Sequence, residues 1–195
     1  MQLRTRPRVL LDADEVLADF QGSVLGIISR VTGKPVCPSD CKQWDFFSQF
    51  LQTPEHHAEA MSEVGLPGFC ASIAPLPGAQ EGVARLREVA DVYVVTSPFD
   101  STPWVQERYA WLWEHFQIPR KHVVFTSSKF LVDGDMLVDD RPENVINWKI
   151  AYPDRQALLW DIPNTRGQHP ELDRVSSWDQ VLDRLQTIIQ TRRGL

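Results

Sequence analysis

The sequence contains few cysteines and no long apolar run, and each absence excludes a class of protein. Only three cysteines, Cys37, Cys41 and Cys70, occur in 195 residues. Three thiols cannot all pair with one another, so reduced thiols in a cytoplasm are the simplest interpretation. No apolar run approaches the roughly 18 residues that a membrane span requires. The basic segment 1–8 leads into an apolar run of only three residues, which is too short for a signal peptide. We therefore expect a cytoplasmic protein with no membrane partner.

Positive charge is also in short supply. Lys and Arg total 20 and Asp and Glu total 26, so the net charge is −6. A protein that coats a nucleic acid polymer needs a basic surface, so that class of partner is disfavoured. A small anionic substrate is still allowed, because a site can import a cation. Hydrophobic residues make up 43% and charged residues 24%, which is typical of a folded globular chain.

Short apolar runs alternate with helical patterns, which predicts an α/β fold with a parallel, Rossmann-like sheet covered on both faces. Strands are expected at 9–11, 92–95, 123–125, 136–138 and 157–160. Helices are expected at 16–31, with Gly33 as its stop, at 79–90, at 103–116, with Thr102 as its cap, at 142–148 and at 178–191. Residues 34–75 show no clear strand and many prolines and aromatics. We predict a core domain formed by 1–15 and 76–195 and a small helical cap at 16–75.

Polar residues follow three of the predicted strands at the point where each strand ends. In an open parallel sheet, ligands bind in the crevice beyond the carboxyl ends of the strands, so these side chains should meet there. They are Asp12, Asp14, Thr96, Ser97, Asp139 and Asp140. Carboxylates that share one site repel one another and require protons or a cation. A hard divalent ion such as Mg²⁺, which takes oxygen ligands and a substrate phosphate, meets that requirement. The alternative is that each aspartate only caps a helix.

These motifs resemble the four motifs of the haloacid dehalogenase superfamily of phosphatases. They occur in the order Asp12-Ala13-Asp14, Thr96, Lys129 and Asp139-Asp140. A closer resemblance is to the cytosolic and mitochondrial 5'(3')-deoxyribonucleotidases and their bacterial relatives. That resemblance spans about residues 8–150 and is carried by segments 16–20, 67–69, 75–79, 96–98, 107–111 and 137–142.

The resemblance implies a Mg²⁺-dependent phosphatase that acts through an aspartyl-phosphate. Asp12 would be the nucleophile. Asp14 would be the general acid and base, which protonates the leaving alkoxide and then takes a proton from the hydrolytic water. Asp12, the backbone carbonyl of Asp14, and Asp139 would hold the metal.

The phosphate site implied by the resemblance uses Lys129, Thr96 and Ser97. Lys129 would supply positive charge, and Thr96 and Ser97 would donate hydrogen bonds. A lone loop lysine is usually a solvated surface residue. The position of Lys129 between two strands, ten residues before Asp139, is what favours the phosphate site. Asp140 would orient Lys129 or a metal-bound water.

The cap should close over the crevice as a lid and select the leaving group. Phe20, Trp44 and Phe69 are candidates to contact a nucleobase; the alternative is that the aromatics form the core of the cap. One departure from the family pattern is Glu15, which stands where the family usually has glycine. Glu15 adds negative charge beside the metal loop, so it bears on which substrate is used rather than on the reaction class.

The substrate implied by the resemblance is a nucleoside 5'-monophosphate, including deoxyribonucleotides. A sugar phosphate or another small phosphate ester is the alternative within the same class. A non-catalytic phosphate-binding module is a third hypothesis, although such a module would not need Asp14. Phosphoryl transfer to an acceptor other than water stays open, and so does a homodimer.

Overall fold

Six parallel strands form the sheet of this protein. The computed structural model describes residues 6–193, so residues 1–5 of the predicted N-terminal segment and residues 194–195 lie outside it. The strands are β1 (Arg8–Leu11), β2 (Asp91–Thr96), β3 (Val123–Phe125), β4 (Met136–Asp139), β5 (Gln156–Trp160) and β6 (Arg174–Val175). Their order is β3-β2-β1-β4-β5-β6, and every neighbouring pair is parallel. The predicted α/β fold is thus confirmed. Only β6 was not predicted, because a strand of two residues is too short to show a pattern of apolar residues.

Eight helices surround and interrupt this sheet within residues 6–193. Four of them lie between β1 and β2, before the helix that leads back into the sheet. They are α1 (Phe20–Thr32), α2 (Phe46–Phe50), α3 (Pro54–Val64) and α4 (Phe69–Ser72). The other four are α5 (Ala79–Val89), α6 (Trp104–Phe116), α7 (Pro142–Ala151) and α8 (Trp178–Arg193). Among the described residues, no helix is both long and apolar enough to cross a membrane.

Two helix starts differ from the sequence-based expectation. Helix α1 begins at Phe20 and not at residue 16, because the Asp19 side chain accepts a hydrogen bond from Gly22 N at 2.9 Å and caps the helix there. Residues 14–18 instead form a turn, with bridges from Ala18 to Asp14 and to Pro75. Thr102 does not cap α6, since the N-cap is Pro103 and no side chain bonds to that helix end.

The sheet is buried on both faces, as the apolar strand sequences predict. On one face, Leu10, Val95 and Leu137 pack against Val145 and Trp148 of α7. On the other face, a larger cluster joins the sheet to helices α5, α6 and α8 and also to the inserted helices. The boundary between core and cap at residues 15/16 and 75/76 therefore stays a prediction.

Close packing of α5 against α8 gives a stability test. Gly82 lies against Trp178, and a Cβ atom at Gly82 would come within 2.2 Å of two indole carbons. We expect Gly82→Ala to lower the free energy of unfolding by about 1–3 kcal/mol through overpacking. Gly26 in α1 has nothing within 4 Å of its Cβ position, so Gly26→Ala should raise that free energy by roughly 0.5–1 kcal/mol. Urea denaturation measures the free energy of unfolding of both variants. Equal changes in the two variants would contradict the close packing of Gly82 against Trp178.

Candidate active site

The predicted strand-end residues lie together because β1 and β4 are neighbours in the sheet. Asp12 directly follows β1, and its N–H donates to the carbonyl of Val138 at 2.9 Å. Asp139 is the last residue of β4 and is fully buried. Lys129, in the single turn of 3-10 helix before β4, places its Nζ 2.6 Å from Asp12 Oδ2 and 2.6 Å from Asp139 Oδ2. Lys129 is therefore a buried residue of this site and not a solvated loop lysine.

Asp139 is held by a further side chain that the sequence analysis missed. Asn144 Nδ2 donates to Asp139 Oδ1 at 3.0 Å, and the N–H of Arg141 donates to the same oxygen at 3.0 Å. Asn144 lies in the first turn of α7, which starts directly beyond β4. The only sequence signal was its position five residues after the aspartate, and asparagine is common near helix starts for other reasons.

Asp140 belongs to the same carboxylate cluster. Carboxylate oxygens of Asp12, Asp139 and Asp140 lie within 4.8 Å of one another, and all three residues are buried. Asp140 Oδ2 also accepts a hydrogen bond from Trp44 Nε1 at 3.0 Å. The structure thus brings Asp140 beside the predicted metal ligands Asp12 and Asp139. The carboxylate of Asp14 is not in this cluster and pairs instead with Arg108.

Burial dominates the electrostatics of this cluster. It raises the pKa of Asp12 to about 7, against the opposing attraction of Lys129, and it raises the pKa of Asp140 well above its ordinary value. Burial alone would lower the pKa of Lys129, but the carboxylates of Asp12 and Asp139 outweigh it and raise that pKa. One ammonium does not balance three buried carboxylates. The set fits a hard divalent cation such as Mg²⁺, because its oxygens are close together and short of positive charge.

Thr96 and Ser97 lie at the end of β2, beside the carboxylate cluster. Thr96 is 1% exposed, and its Oγ1 is buried without a hydrogen-bond partner among residues 6–193. Ser97 is exposed, and both residues line the same cavity as Asp12. A buried hydroxyl without a partner is uncommon in folded proteins. Its position suits a donor to a ligand oxygen.

The carboxylate of Asp14 pairs with a buried arginine that the sequence analysis did not single out as a site residue. Arg108 Nη2 lies 2.6 Å from Asp14 Oδ1, and the arginine side chain is fully buried. Arg108 lies on the same face of α6 as Trp104 and Trp111, which are both buried. A charged residue on that apolar face was the available signal, because buried arginine almost always has a partner.

An aromatic cavity of about 270 Å³ opens above these polar groups. Its aromatic lining comes from the inserted segment, from the loop after β2 and from the first residue of α6: Phe20, Trp44, Phe46, Phe47, Phe99 and Trp104. Phe20 and Trp44 were predicted here. Phe69 does not line this cavity, which corrects its expected position. The centroid of its ring lies 6.5 Å from that of Phe20 and 6.3 Å from that of Trp104, so Phe69 packs behind these two lining residues.

Glu15 turns back onto α1 instead of into solvent. Its backbone has a positive φ of 59°, where glycine would be unstrained. Its Oε1 accepts a hydrogen bond from Gln21 N, in the first turn of α1, at 2.6 Å. This bond explains why a side chain is useful at a position where its backbone conformation is unfavourable.

The buried carboxyl of Glu15 should make stability depend on pH. Burial raises its pKa from 4.5 to about 8. The protonated form is favoured in the folded state, so the stabilisation is complete below pH 4.5 and is lost as pH rises towards 8. Glu15→Gln keeps the acceptor oxygen and cannot ionise. In EDTA at pH 8 we expect it to be more stable than the wild type by on the order of 1–3 kcal/mol, with little difference at pH 4.5.

Thermal unfolding across pH 4.5–9 measures this difference. Glu59→Gln, at an exposed position of α3, is the matched control and should not alter the slope. A Glu15→Gln protein that loses stability in parallel with the wild type would contradict the assignment.

Solved structures identify the fold. A Bacillus subtilis protein described as a "putative HAD-hydrolase" bound to magnesium superposes with a TM-score of 0.58 at 14% identity, covering 93% of this chain and 99% of that one. CbbY from Rhodobacter sphaeroides, described as in complex with phosphate, gives a TM-score of 0.56 at 14% identity, covering 93% and 100%. The fold is that of the haloacid dehalogenase superfamily of hydrolases.

Sequence comparison gives the family. The family described as "5' nucleotidase, deoxy (Pyrimidine), cytosolic type C protein" matches residues 6–193, so the chain belongs to this family of phosphatases. A Staphylococcus aureus protein named "Putative 5'(3')-deoxyribonucleotidase" is 32% identical over 180 residues, which cover 91% of this chain and 94% of that protein. A Bordetella bronchiseptica protein of the same name is 32% identical over 183 residues, covering 89% and 94%.

Proposed function

We propose that the protein is a Mg²⁺-dependent nucleotidase that hydrolyses nucleoside monophosphates, deoxyribonucleotides in particular, through a phosphorylated Asp12. The observation that carries this proposal is the position of Lys129, which reaches both Asp12 and Asp139 at the floor of an aromatic cavity. The buried ammonium supplies part of the positive charge that a phosphate ester requires, and a cation held by the carboxylates would supply the rest. Family membership supports the nucleotide as substrate.

In the first step, an oxygen of Asp12 forms a bond to phosphorus while the bond from phosphorus to the nucleoside oxygen breaks. Asp14 gives a proton to the departing oxygen, so the nucleoside leaves neutral. In the second step, water attacks the phosphorus of the aspartyl-phosphate and Asp14 takes its proton. The bond from Asp12 to phosphorus then breaks, which releases phosphate and restores both carboxyl groups.

Positive charge and hydrogen-bond donors stabilise the phosphoryl group during both steps. Lys129 faces the phosphoryl oxygens, and Thr96 Oγ1, which has no partner among the described residues, donates to one of them with help from Ser97. Asp12, Asp139 and the backbone carbonyl of Asp14 would hold Mg²⁺, with Asp140 in the same carboxylate cluster. When bound, Mg²⁺ would supply the positive charge that lets a carboxylate approach a phosphate dianion.

The aromatic residues that line the cavity select the nucleoside. Phe20 and Phe47, whose centroids lie 6.2 Å apart, offer ring faces on which a base stacks. Trp44 connects the inserted segment 16–75 to the core, since its Nε1 donates to Asp140 and the guanidinium of Arg141 lies 4.2 Å from its ring centroid. We assign segment 16–75 the role of a lid on this evidence.

A phosphate-release screen tests the proposal. The wild type is assayed with 5'- and 3'-nucleotides, sugar phosphates and p-nitrophenyl phosphate, with Mg²⁺ and with EDTA. We expect release from deoxynucleoside monophosphates that requires Mg²⁺. A preference for sugar phosphates over every nucleotide would overturn the substrate assignment. Release from no substrate would favour a phosphate-binding module.

A further inference from the structure

Arg108 is a fully buried cation on α6 with one salt bridge among residues 6–193. That bridge joins its Nη2 to Asp14 Oδ1 at 2.6 Å. The other carboxylate oxygen of Asp14 has no hydrogen bond within the described part of the chain, and Asp14 lines the cavity. One oxygen of Asp14 is thus fixed and the other is free.

The surroundings of Arg108 hold its guanidinium in place. Its Cζ lies 5.1 Å from the ring centroid of Trp104 and 5.2 Å from that of Trp111. Nε and Nη1 are buried with no hydrogen-bond partner in the described residues. Burying a charge with so few partners is costly, and an apolar side chain would fill the gap between two indoles at lower cost. Packing alone therefore does not explain an arginine here.

Neighbouring groups leave Asp14 as the partner of this charge. The Glu107 carboxylate is occupied, since it accepts hydrogen bonds from the N–H groups of Gly68 at 2.7 Å and Ala71 at 3.2 Å. Burial raises the pKa of the Cys70 thiol to about 12, so this neighbour of Arg108 is neutral. The positive charge is directed at the residue with which the nucleoside and water exchange protons.

We propose that Arg108 is a positioning residue, which holds Oδ1 of Asp14 so that Oδ2 faces the cavity for proton transfer. This inference rests on the acid–base role proposed above for Asp14. In the first step the proton moves from Oδ2 to the nucleoside oxygen as the P–O bond breaks. In the second it moves from the attacking water to Oδ2 as the bond from Asp12 to phosphorus breaks. Arg108 keeps its own proton throughout.

The dependence on the leaving group separates positioning from a structural role. A nucleoside alkoxide needs a proton to depart, whereas p-nitrophenolate does not. With p-nitrophenyl phosphate, kcat/KM reports only the phosphorylation of Asp12. That step does not need a proton from Asp14, because the leaving group departs as an anion. Turnover does need Asp14, because water must lose a proton when it attacks the phosphorylated enzyme.

Arg108→Met fills the space between the two indoles without charge. We expect its kcat/KM for a deoxynucleoside monophosphate to fall about 10²-fold and that for p-nitrophenyl phosphate to stay within about threefold. A burst of about one equivalent of p-nitrophenol should appear as phosphorylated Asp12 accumulates. Arg108→Lys, which keeps the charge, should recover about tenfold of the nucleotide activity. It also serves as the test variant if Arg108→Met does not fold.

Arg120→Met is the matched control. The Arg120 guanidinium also lies against an aromatic ring of α6, 4.3 Å from the centroid of Tyr109, and donates to Gln106. Its kinetics should equal those of the wild type. Equal losses of kcat/KM for both substrates, without a burst, would overturn the positioning role of Arg108. A wild type that hydrolyses p-nitrophenyl phosphate but no nucleotide would overturn the nucleotidase proposal instead, and the burst alone then decides the role of Arg108.

Discussion

Asp12→Asn should lower nucleotide hydrolysis by at least about 10⁴-fold, the scale expected when a nucleophile is removed. An amide oxygen is a poor nucleophile, so asparagine cannot replace the Asp12 carboxylate in the attack on phosphorus. Lys129 keeps its ion pair with Asp139 at 2.6 Å in this variant, so the substitution leaves no buried ammonium without a partner. Phosphate release measures the loss.

Mass spectrometry supplies a second readout for the same site. Asp14→Asn enzyme that is acid-quenched after mixing with p-nitrophenyl phosphate should carry one phosphoryl group on the peptide that contains Asp12. This leaving group departs without a proton, whereas the second step still lacks its base. Asp100→Asn, at an exposed position near the end of β2, is the control and should retain full activity. Activity that survives Asp12→Asn would remove Asp12 as the nucleophile.

Lys129→Met should cost both activity and stability. Without the ammonium, the buried carboxylates of Asp12 and Asp139 face each other unpaired, which is expected to cost about 3–5 kcal/mol of unfolding free energy in EDTA at pH 8. The loss should shrink towards pH 5, because burial has raised the pKa of Asp12 to about 7 and protonation relieves the repulsion. Phosphate release should fall by about 10²–10³-fold.

Urea denaturation at the two pH values measures the stability term. Lys121→Met, at an exposed position before β3, removes the same charge outside the site and should have no effect beyond about 0.5 kcal/mol. A Lys129→Met protein with the same loss at pH 5 and pH 8 would contradict the charge argument.

The sequence predicted the sheet because its signals are local. Each of β1 to β5 is a short apolar run, and the strand-end rule brought Asp12 and Asp139 together without knowledge of the pairing. The contacts that sequence reasoning missed are long-range. Arg108 meets Asp14 across 94 positions, and Trp44 meets Asp140 across 96.

The two missed contacts had different signals. Nothing near Trp44 in sequence indicates a bond to an aspartate on the core. Arg108 did carry a weak signal, since it shares a helix face with two buried tryptophans, but its partner depends on how α6 packs against the turn after β1. Glu15 illustrates the same limit: its charge was apparent, and its bond to the start of α1 required the backbone turn.

The pairing of β1 with β2 has a consequence for how this fold can change. Arg8 aligns with Asp91, so the helices α1 to α5 all lie within one closed loop. The entropy of closing such a loop grows only with the logarithm of its length, and each doubling costs only about 0.6 kcal/mol. The fold can therefore lengthen or shorten the segment over its site at little thermodynamic cost. Substrate range can diverge there while the strand ends that do the chemistry stay in register.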